Sequence, residues 1–369
     1  MSQADERRER DLLTATVEEL LADHCPPSVV ADAEGGWAGE VWRELAAVGL
    51  VAVGMPEESG GAGGSLRDAA AVLRAAAAHA APVPLAEVLF PVAAVCGVAG
   101  LSLPAFPATV ATGPRYVVRH GRVELEGVAA RVPWARIAER ILLVATPADA
   151  GGPELAGWLD TSGVRLAEAV NLAGEPRDDV LVSGAVLGDE VVEVAAGTAE
   201  LVRSRGALAR SVQIAGALGA VLDLTVRYAG ERVQFGRPIG RFQAVAHLVS
   251  DLAGTAVAAE AAATAAVDTV AALAADPSAP SDGALVADAV AAVACAKSRT
   301  SSAAGPGARI AHQVHGAIGF TQEHRLHHLT RRLWSWREEY GSEEHWSGEL
   351  GRLVIEAGAD ELWPLVTRV

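Results

Sequence analysis

The spacing of apolar residues predicts that the first region of the chain, residues 1–103, is helical. Apolar side chains recur every three or four positions in two stretches: Leu12, Val17, Leu20 and Leu21, then Val41, Leu45 and Val48. Gly49 follows the second stretch and is a typical helix terminator. Ser65 followed by Asp68 predicts the capped start of another helix, because the two side chains can satisfy free backbone N–H groups.

The helical period disappears in the middle region, residues 104–195. Short runs rich in β-branched residues begin at Tyr116, Val123 and Ile141, and glycine or proline separates them. This pattern predicts a small antiparallel, β-barrel-like domain of about six to eight strands.

The last region, residues 196–369, is helical again. The predicted helices lie near residues 196–231, 240–275, 284–317 and 322–339. Long helices joined by short breaks favour a four-helix bundle that mediates oligomerisation. The predicted fold class is therefore mainly α, with a helical domain, a small β domain and a helical bundle in that order.

Composition narrows the range of partners. The formal net charge of −16 disfavours nucleic acid and anionic membrane surfaces, since both repel an acidic chain. The three cysteines, Cys25, Cys96 and Cys295, are too far apart in sequence to suggest a disulfide framework or a metal motif. The charged N-terminus has no apolar segment behind it, and charges or proline interrupt the apolar stretches at 84–100 and 254–275. We therefore expect a cytoplasmic protein.

Three strings resemble the FAD-dependent acyl-CoA dehydrogenase family. The first runs from Trp42-Arg-Glu-Leu through Gly-Met-Pro-Glu-Glu-Ser-Gly-Gly, the second is residues 228–247, and the third is residues 313–323. Their order and spacing match the family over nearly the whole chain. Ala317 stands where the family usually has a second glycine.

The resemblance implies that the second and third strings hold FAD, largely across a subunit interface. The implied cofactor residues are Arg232, Gln234, Phe235, Gln243, Gln313 and Gly316. Arginine suits the pyrophosphate because its planar fork of donors matches phosphate oxygens. The alternative is that Arg232 is a surface ion-pair partner and that Gln243 lies on a solvated helix face.

The family's catalytic base does not have an obvious counterpart in this chain. The resemblance implies a glutamate before a Gly-Thr pair, but the count places Tyr340 there, followed by Gly341-Ser342. A phenol, with a reference pKa near 10, is a weak base at neutral pH. Glu339 is the fallback if the backbone shifts by one position, and the family's less common location falls on Gly206.

The middle region departs from the family as well. The family's Thr-Glu-Pro and Gly-Ser-Asp strings, which contact the flavin ring, have no match in residues 103–114. Trp134 lies at the site of a second flavin-contacting strand, where it would either stack on flavin or serve as a core or interface aromatic.

Two main hypotheses follow from this resemblance. The chain is either an FAD enzyme that converts an acyl-CoA, with a fatty or steroid-like acyl group, to the 2-enoyl-CoA, or a divergent, base-less subunit. As such a subunit it would complete the FAD site of a catalytic paralogue in an α2β2 heterotetramer. The implied partners are an acyl-CoA, an electron-transfer acceptor, and identical or related subunits. Oxidase or monooxygenase chemistry on the same fold is a third possibility.

The histidines of the last region could also suggest a metal site. His324, His327 and His328 have the i, i+3 and i+4 spacing of helical zinc ligands. A polar, cofactor-adjacent helix face explains them equally well, so we expect no metal. The glycine cluster at residues 60–64 lacks the Lys-Ser/Thr ending of a phosphate loop and predicts a turn.

Overall fold

The computed structural model of the chain describes residues 3–119, 122–149, 151–187, 190–275 and 283–358, together with 360 and 363. Its α-helices are α1 (Gln3–His24), α2 (Pro27–Asp32), α3 (Gly39–Ala47), α4 (Leu66–Ala78), α5 (Leu85–Glu87), α6 (Ala93–Ala99), α7 (Thr198–Glu231), α8 (Gln243–Ala275), α9 (Gly283–His315), α10 (Leu326–Trp336) and α11 (Glu343–Ala357). A π-helical turn, Val88–Val92, joins α5 to α6 and contains Pro91.

The strands are β1 (Ala108–Arg119), β2 (Arg122–Pro133), β3 (Arg140–Pro147), β4 (Glu154–Asp160), β5 (Arg165–Ala167), β6 (Arg177–Val186), β7 (Val192–Val194), β8 (Val233–Gln234) and β9 (Arg237–Pro238). Within the described residues, β1 to β7 form one sheet in the order β5-β6-β2-β1-β3-β4-β7. The pairs are antiparallel as predicted, except that β1 and β3 run parallel. The strands β8 and β9 form a separate short hairpin.

The chain divides into two compact units. One unit, here called the sheet unit, contains Asp32–Ala69 and Pro82–Gly206. In its sheet, residues 141–145 of β3 are all buried, so this strand is covered on both faces. The core beneath the sheet includes Leu125, Ile141, Leu143 and Val180.

The other unit, here called the helical unit, contains Met1–Ala31, Ala70–Ala81 and Ala207–Val369. Within it, α9 packs against α8, α10 and α11. Small side chains line these contacts, including the fully buried Ala292, Ala294, Ala296 and Ala304. Alanine therefore favours the helices and also lets their axes approach closely.

Local signals in the sequence are confirmed at several helix ends. Helix α3 ends at Ala47, and Gly49 adopts a left-handed φ of 78° two residues later. The Asp68 carboxylate accepts hydrogen bonds from the Ser65 backbone N–H at 2.9 Å and from its hydroxyl at 2.7 Å, just before α4 begins. Helix α11 was not among the predicted helices, although Ser342 caps it and acidic residues occupy its first turn.

Among the residues that the structure describes, two helices, α7 and α8, are long and apolar enough to cross a membrane by length and composition alone. In α7, 72% of the most apolar window is buried within the protein, as in a core helix. In α8 the corresponding share is 39%, so much of its apolar surface is exposed.

One contact between α7 and α4 requires a glycine. A Cβ atom at Gly216 would lie 2.4 Å from the carbonyl oxygen of Arg74, whereas one at Gly219 would meet nothing within 4 Å. We predict that Gly216→Ala lowers the free energy of unfolding by about 1–3 kcal/mol through overpacking. The matched Gly219→Ala should raise it by up to about 1 kcal/mol, because alanine is the better helix former. Urea denaturation measures both, and an unchanged Gly216→Ala variant would contradict this packing.

Candidate functional site

The turn between α10 and α11, residues 337–342, contains both candidates for the base and lies in the helical unit. Three buried side chains from other helices hold this turn: Lys297 and Ser301 on α9, and Arg210 on α7. We call these three side chains the turn anchor.

Lys297 holds the end of α10. Its side chain is fully buried, and its Nζ donates to the carbonyl oxygens of Trp336 at 3.2 Å and Arg337 at 2.8 Å. The third bond, at 3.0 Å, goes to the hydroxyl of Ser301, which itself donates to the Arg337 carbonyl. These carbonyls are at the partially negative end of a helix, where a cation is favourable.

The cost of burying this cation shows in its pKa. Burial is the largest cause that lowers the pKa of Lys297, to about 7. The charge of Glu339 opposes this by raising the pKa, and the charge of Arg210 lowers it further. Glu338 raises it slightly and Arg337 lowers it slightly. The lysine therefore changes charge near neutral pH.

Arg210 contacts both base candidates. Its Nε donates to the Glu339 carboxylate at 2.7 Å, and both side chains are buried. The Arg210 guanidinium carbon lies 5.4 Å from the centre of the Tyr340 ring, and the same guanidinium also donates to Gln213. Glu339 is therefore held in a buried ion pair, with only 8% of its surface exposed.

The backbone of the turn is tightly constrained at Tyr340 and Gly341. Tyr340 adopts a left-handed φ of 54°, and its carbonyl accepts a hydrogen bond from the Trp346 indole at 2.9 Å. Gly341 has a φ of 102°, and a Cβ there would lie 2.5 Å from that indole nitrogen. A side chain at residue 341 is therefore excluded, and the direction of residues 339 and 340 is fixed.

Lys297, Arg210 and Ser301 are not among the site residues predicted from the sequence. A signal was present for Lys297, because it is the only lysine in the sequence and lies within an alanine-rich stretch. A charge on an otherwise apolar helix face is rarely buried without a specific partner.

The implied cofactor residues on the second string are exposed. Arg232 follows the last turn of α7, and Gln234 and Phe235 follow on the β8–β9 hairpin. Within the described residues, the Arg232 guanidinium makes neither an ion pair nor a hydrogen bond, so the ion-pair alternative has no support here. Gln243 is exposed at the start of α8 and lies 3.5 Å from the His247 ring.

Phe235 is the most exposed large apolar residue of the β8–β9 hairpin. It is 92% exposed and adopts a left-handed φ of 49°. The ring meets Phe242 edge-on at 6.1 Å, and Phe242 in turn lies under the guanidinium of Arg237. An exposed aromatic residue in a strained conformation is unfavourable unless a ligand or partner covers it.

A stacked pair brings the second and third strings together. The rings of Tyr228 and His315 stack with centroids 4.6 Å apart, at the adjoining ends of α7 and α9. Gln313 and Gly316 are both exposed beside this contact, and Gly316 has a left-handed φ of 62°. The six implied cofactor residues therefore all lie near the ends of α7 and α9 or the start of α8.

A cavity of about 600 Å³ lies between α7, α8 and the hairpin. Its walls are mostly apolar, with Leu222, Val226, Pro238 and Val249 among them. The volume is in the range of small-molecule and cofactor sites.

In the sheet unit, Trp134 has no face open to a flavin. It is 3% exposed, and the guanidinium of Arg177 lies 5.6 Å from its ring centre. Arg177 is itself buried and paired with Glu175 at 2.9 Å. Of the two interpretations of Trp134, this geometry favours a core aromatic.

The clustered histidines pack against aromatic groups rather than converging on one point. His312 stacks on Phe320 at 4.2 Å, and the rings of His327 and His328 lie 3.9 Å apart. Among the described residues, no three His, Cys, Asp or Glu side chains form a metal-sized group.

The fold, the turn at residues 337–342 and the exposed residues near the ends of α7 and α9 together define a class of protein. The family model for the acyl-CoA dehydrogenase C-terminal domain matches residues 194–352, and that for the N-terminal domain matches residues 7–99. The chain therefore belongs to the acyl-CoA dehydrogenase family, whose cofactor is FAD.

The chain is also similar to individual members of the family. The acyl-CoA dehydrogenase IpdE2 of Mycobacterium tuberculosis is 32% identical over 86% of this chain and 89% of its own length. IpdE2 of Mycolicibacterium smegmatis is 32% identical over 66% of this chain and 72% of its own length. The fold is shared with the ChsE4–ChsE5 complex of Mycobacterium tuberculosis, with a TM-score of 0.84, 23% identity, and coverage of 96% of this chain and 98% of that one.

We predict that Lys297 makes stability depend on pH. Burial lowers its pKa from 10.5 to about 7, so between these values the unfolded chain binds more protons than the folded one. The unfavourable burial of the cation is fully present below pH 7 and is relieved as the pH rises towards 10. The free energy of unfolding of the wild-type chain should therefore rise relative to that of Lys297→Met between pH 7 and 9, as measured in urea.

Arg299→Met serves as the control for this measurement, because Arg299 is exposed on the same helix. The difference in free energy of unfolding between Arg299→Met and the wild-type chain should stay constant over the same pH range. If the Lys297→Met difference is equally constant, the buried ammonium does not titrate as described.

Proposed function

We propose that this chain is a subunit of a heteromeric acyl-CoA dehydrogenase that completes the FAD site of a catalytic paralogue without supplying the catalytic base. The observation that carries the proposal is the buried ion pair of Glu339 with Arg210. A base must reach the α-proton of the substrate, and the one carboxylate next to the base position is tied to a guanidinium inside the helical unit.

The residue at the base position supports the same conclusion. Tyr340 carries a phenol in place of a carboxylate, and a phenol is a weak base at neutral pH. The turn anchor and the indole bond fix the backbone on both sides of Tyr340. A one-residue shift that would bring Glu339 into its place would break these contacts.

The residues for the adenosine and pyrophosphate half of FAD fit the cofactor. Arg232 offers an exposed guanidinium to phosphate oxygens, and Phe235 offers an exposed ring to an adenosine group or a partner chain. The residues for the flavin-ring half do not fit in this way, because Trp134 is buried and the usual hydroxyl-bearing string is absent. This contrast favours a half-site that a second chain completes.

In the proposed assembly, this chain binds and orients one end of the cofactor. Arg232 holds the pyrophosphate, and Gln234, Phe235, Gln243, Gln313 and Gly316 surround the adenosine end. FAD supplies the acceptor for the hydride that leaves the β-carbon of the acyl-CoA. The base on the catalytic paralogue removes the α-proton, and an electron-transfer acceptor then reoxidises the cofactor.

The exposed face of α8 supports an oligomer. Its most apolar window is only 39% buried, and Val257 on this helix is 66% exposed. A contact between subunits would cover these apolar side chains. We propose an α2β2 heterotetramer in the cytoplasm, and the two-chain ChsE4–ChsE5 complex makes this the arrangement to test first.

A second candidate function is dehydrogenation by this chain alone with Glu339 as a displaced base. The observation in its favour is that Glu339 lies on the same turn as the predicted base position. This candidate requires the Arg210 ion pair to open during turnover, and a homo-oligomer that holds its own FAD.

We predict that Arg232→Gln weakens FAD binding by the assembled complex about 10–100-fold, because a charged hydrogen bond to phosphate is lost. The measurement is FAD dissociation from the complex co-purified with its paralogue. Arg43→Gln is the charge-matched control, since Arg43 is exposed and pairs with Glu40 on α3. Equal FAD affinity in both variants would contradict the proposed role of Arg232.

We predict that Glu339→Gln leaves the rate per bound FAD of the co-purified complex within about threefold of the wild type, since loss of a general base costs about 10²–10⁴-fold. The same variant should unfold more easily, because Arg210 loses its buried partner, at a cost of about 3–5 kcal/mol. Turnover is therefore measured at a temperature at which circular dichroism shows the variant folded. A fall of 10²-fold or more per bound FAD would favour the second candidate function.

A further inference from the structure

The helical unit contains a second, smaller cavity of about 210 Å³. It lies where α1 meets α2, beside the end of α4 and the start of α10. Cys25, His79, Arg325 and His328 supply its polar lining, and Pro26 and Leu329 are among its apolar walls. No residue of the proposed cofactor half-site or of the turn anchor lines it.

This cavity contains a cation without a counter-charge. The Arg325 guanidinium donates to the carbonyl oxygen of Ala78 at 2.9 Å and makes no ion pair within the described residues. Burial lowers the pKa of Arg325, and the nearby Arg227 lowers it further. None of the residues that line the cavity is an aspartate or a glutamate.

The other polar groups of the cavity do not neutralise Arg325. Burial raises the pKa of the Cys25 thiol to about 11, so the thiol is uncharged at neutral pH even though Arg332 and Arg325 favour its ionised form. Burial and then the charge of Arg325 lower the pKa of His79, which favours the neutral imidazole. A partly buried guanidinium in this setting is stabilised when an anion pairs with it.

We propose that this cavity binds a small oxyanion, held by the Arg325 guanidinium and by the imidazole of His79. The guanidinium fork matches both phosphate and carboxylate oxygens, so these are the two sources of the same chemistry. The proposal rests on residues separate from the proposed FAD half-site, so either can fail without the other.

The test is thermal unfolding of the purified full chain with increasing inorganic phosphate, compared with sodium chloride at equal ionic strength. Wild-type protein should show a saturable rise in Tm with phosphate beyond the effect of chloride. Acetate in a parallel series distinguishes a carboxylate site from a phosphate site. Arg325→Gln should weaken the apparent affinity roughly tenfold or more through loss of the charged donors.

A matched pair of variants at Ala22 keeps the test decisive if Arg325→Gln does not fold. Ala22 lines the cavity from the exposed side of α1, where a longer side chain can be accommodated. Ala22→Glu supplies a carboxylate from within the chain, so it should raise Tm without added anion and abolish the phosphate response. Ala22→Gln, which has the same shape without the charge, should retain the response.

Three results would overturn the proposal. The first is that the Tm of the wild-type chain rises no more with phosphate or acetate than with chloride. The second is that folded Arg325→Gln binds phosphate as tightly as the wild type. The third is that the Tm of Ala22→Glu rises with phosphate as strongly as that of Ala22→Gln.

Discussion

The buried side chain of Lys297 fixes the turn between α10 and α11, which contains Glu339 and Tyr340. Two of its hydrogen bonds tie the carbonyls of Trp336 and Arg337, at the end of α10, to α9, and the third goes to Ser301 on α9 itself. Arg210 ties Glu339 to α7. Lys297, Arg210 and Glu339 are buried together, so the burial of each charged group is favourable only while the other two stay in place. The residue that follows Glu339 in this fixed turn is Tyr340, which carries no carboxylate.

The two halves of the expected cofactor site differ in how open they are. The residues for the pyrophosphate and adenosine end are exposed. In the part of the chain that the structure describes, the Arg232 guanidinium makes no ion pair or hydrogen bond, and Phe235 is 92% exposed. By contrast, Trp134 in the sheet unit is covered, and Glu339 in the helical unit is locked in an ion pair. A chain that needs a second subunit to complete its site accounts for both observations.

The fold followed from the sequence where local rules decide it. Apolar periodicity located α7, α8, α9 and α10, and the pairing of Ser65 with Asp68 located the start of α4, because spacing and caps are local properties. The parallel pairing of β1 with β3 was not predictable, since strand order depends on contacts distant in sequence. Lys297 and Arg210 were missed for the same reason, because their partners lie on a turn far along the chain. The roles of the implied cofactor residues and the domain boundaries stay predictions.

The most direct measurement is the flavin content and solution mass of the chain purified alone and after co-expression with a paralogue that carries the Glu-Gly-Thr string. Absorbance near the flavin band and light scattering give both quantities on one sample. We predict that the chain alone holds no stoichiometric FAD and that the co-purified complex holds one FAD for each pair of chains. A yellow homo-oligomer with one FAD per chain, formed without any partner, would contradict it.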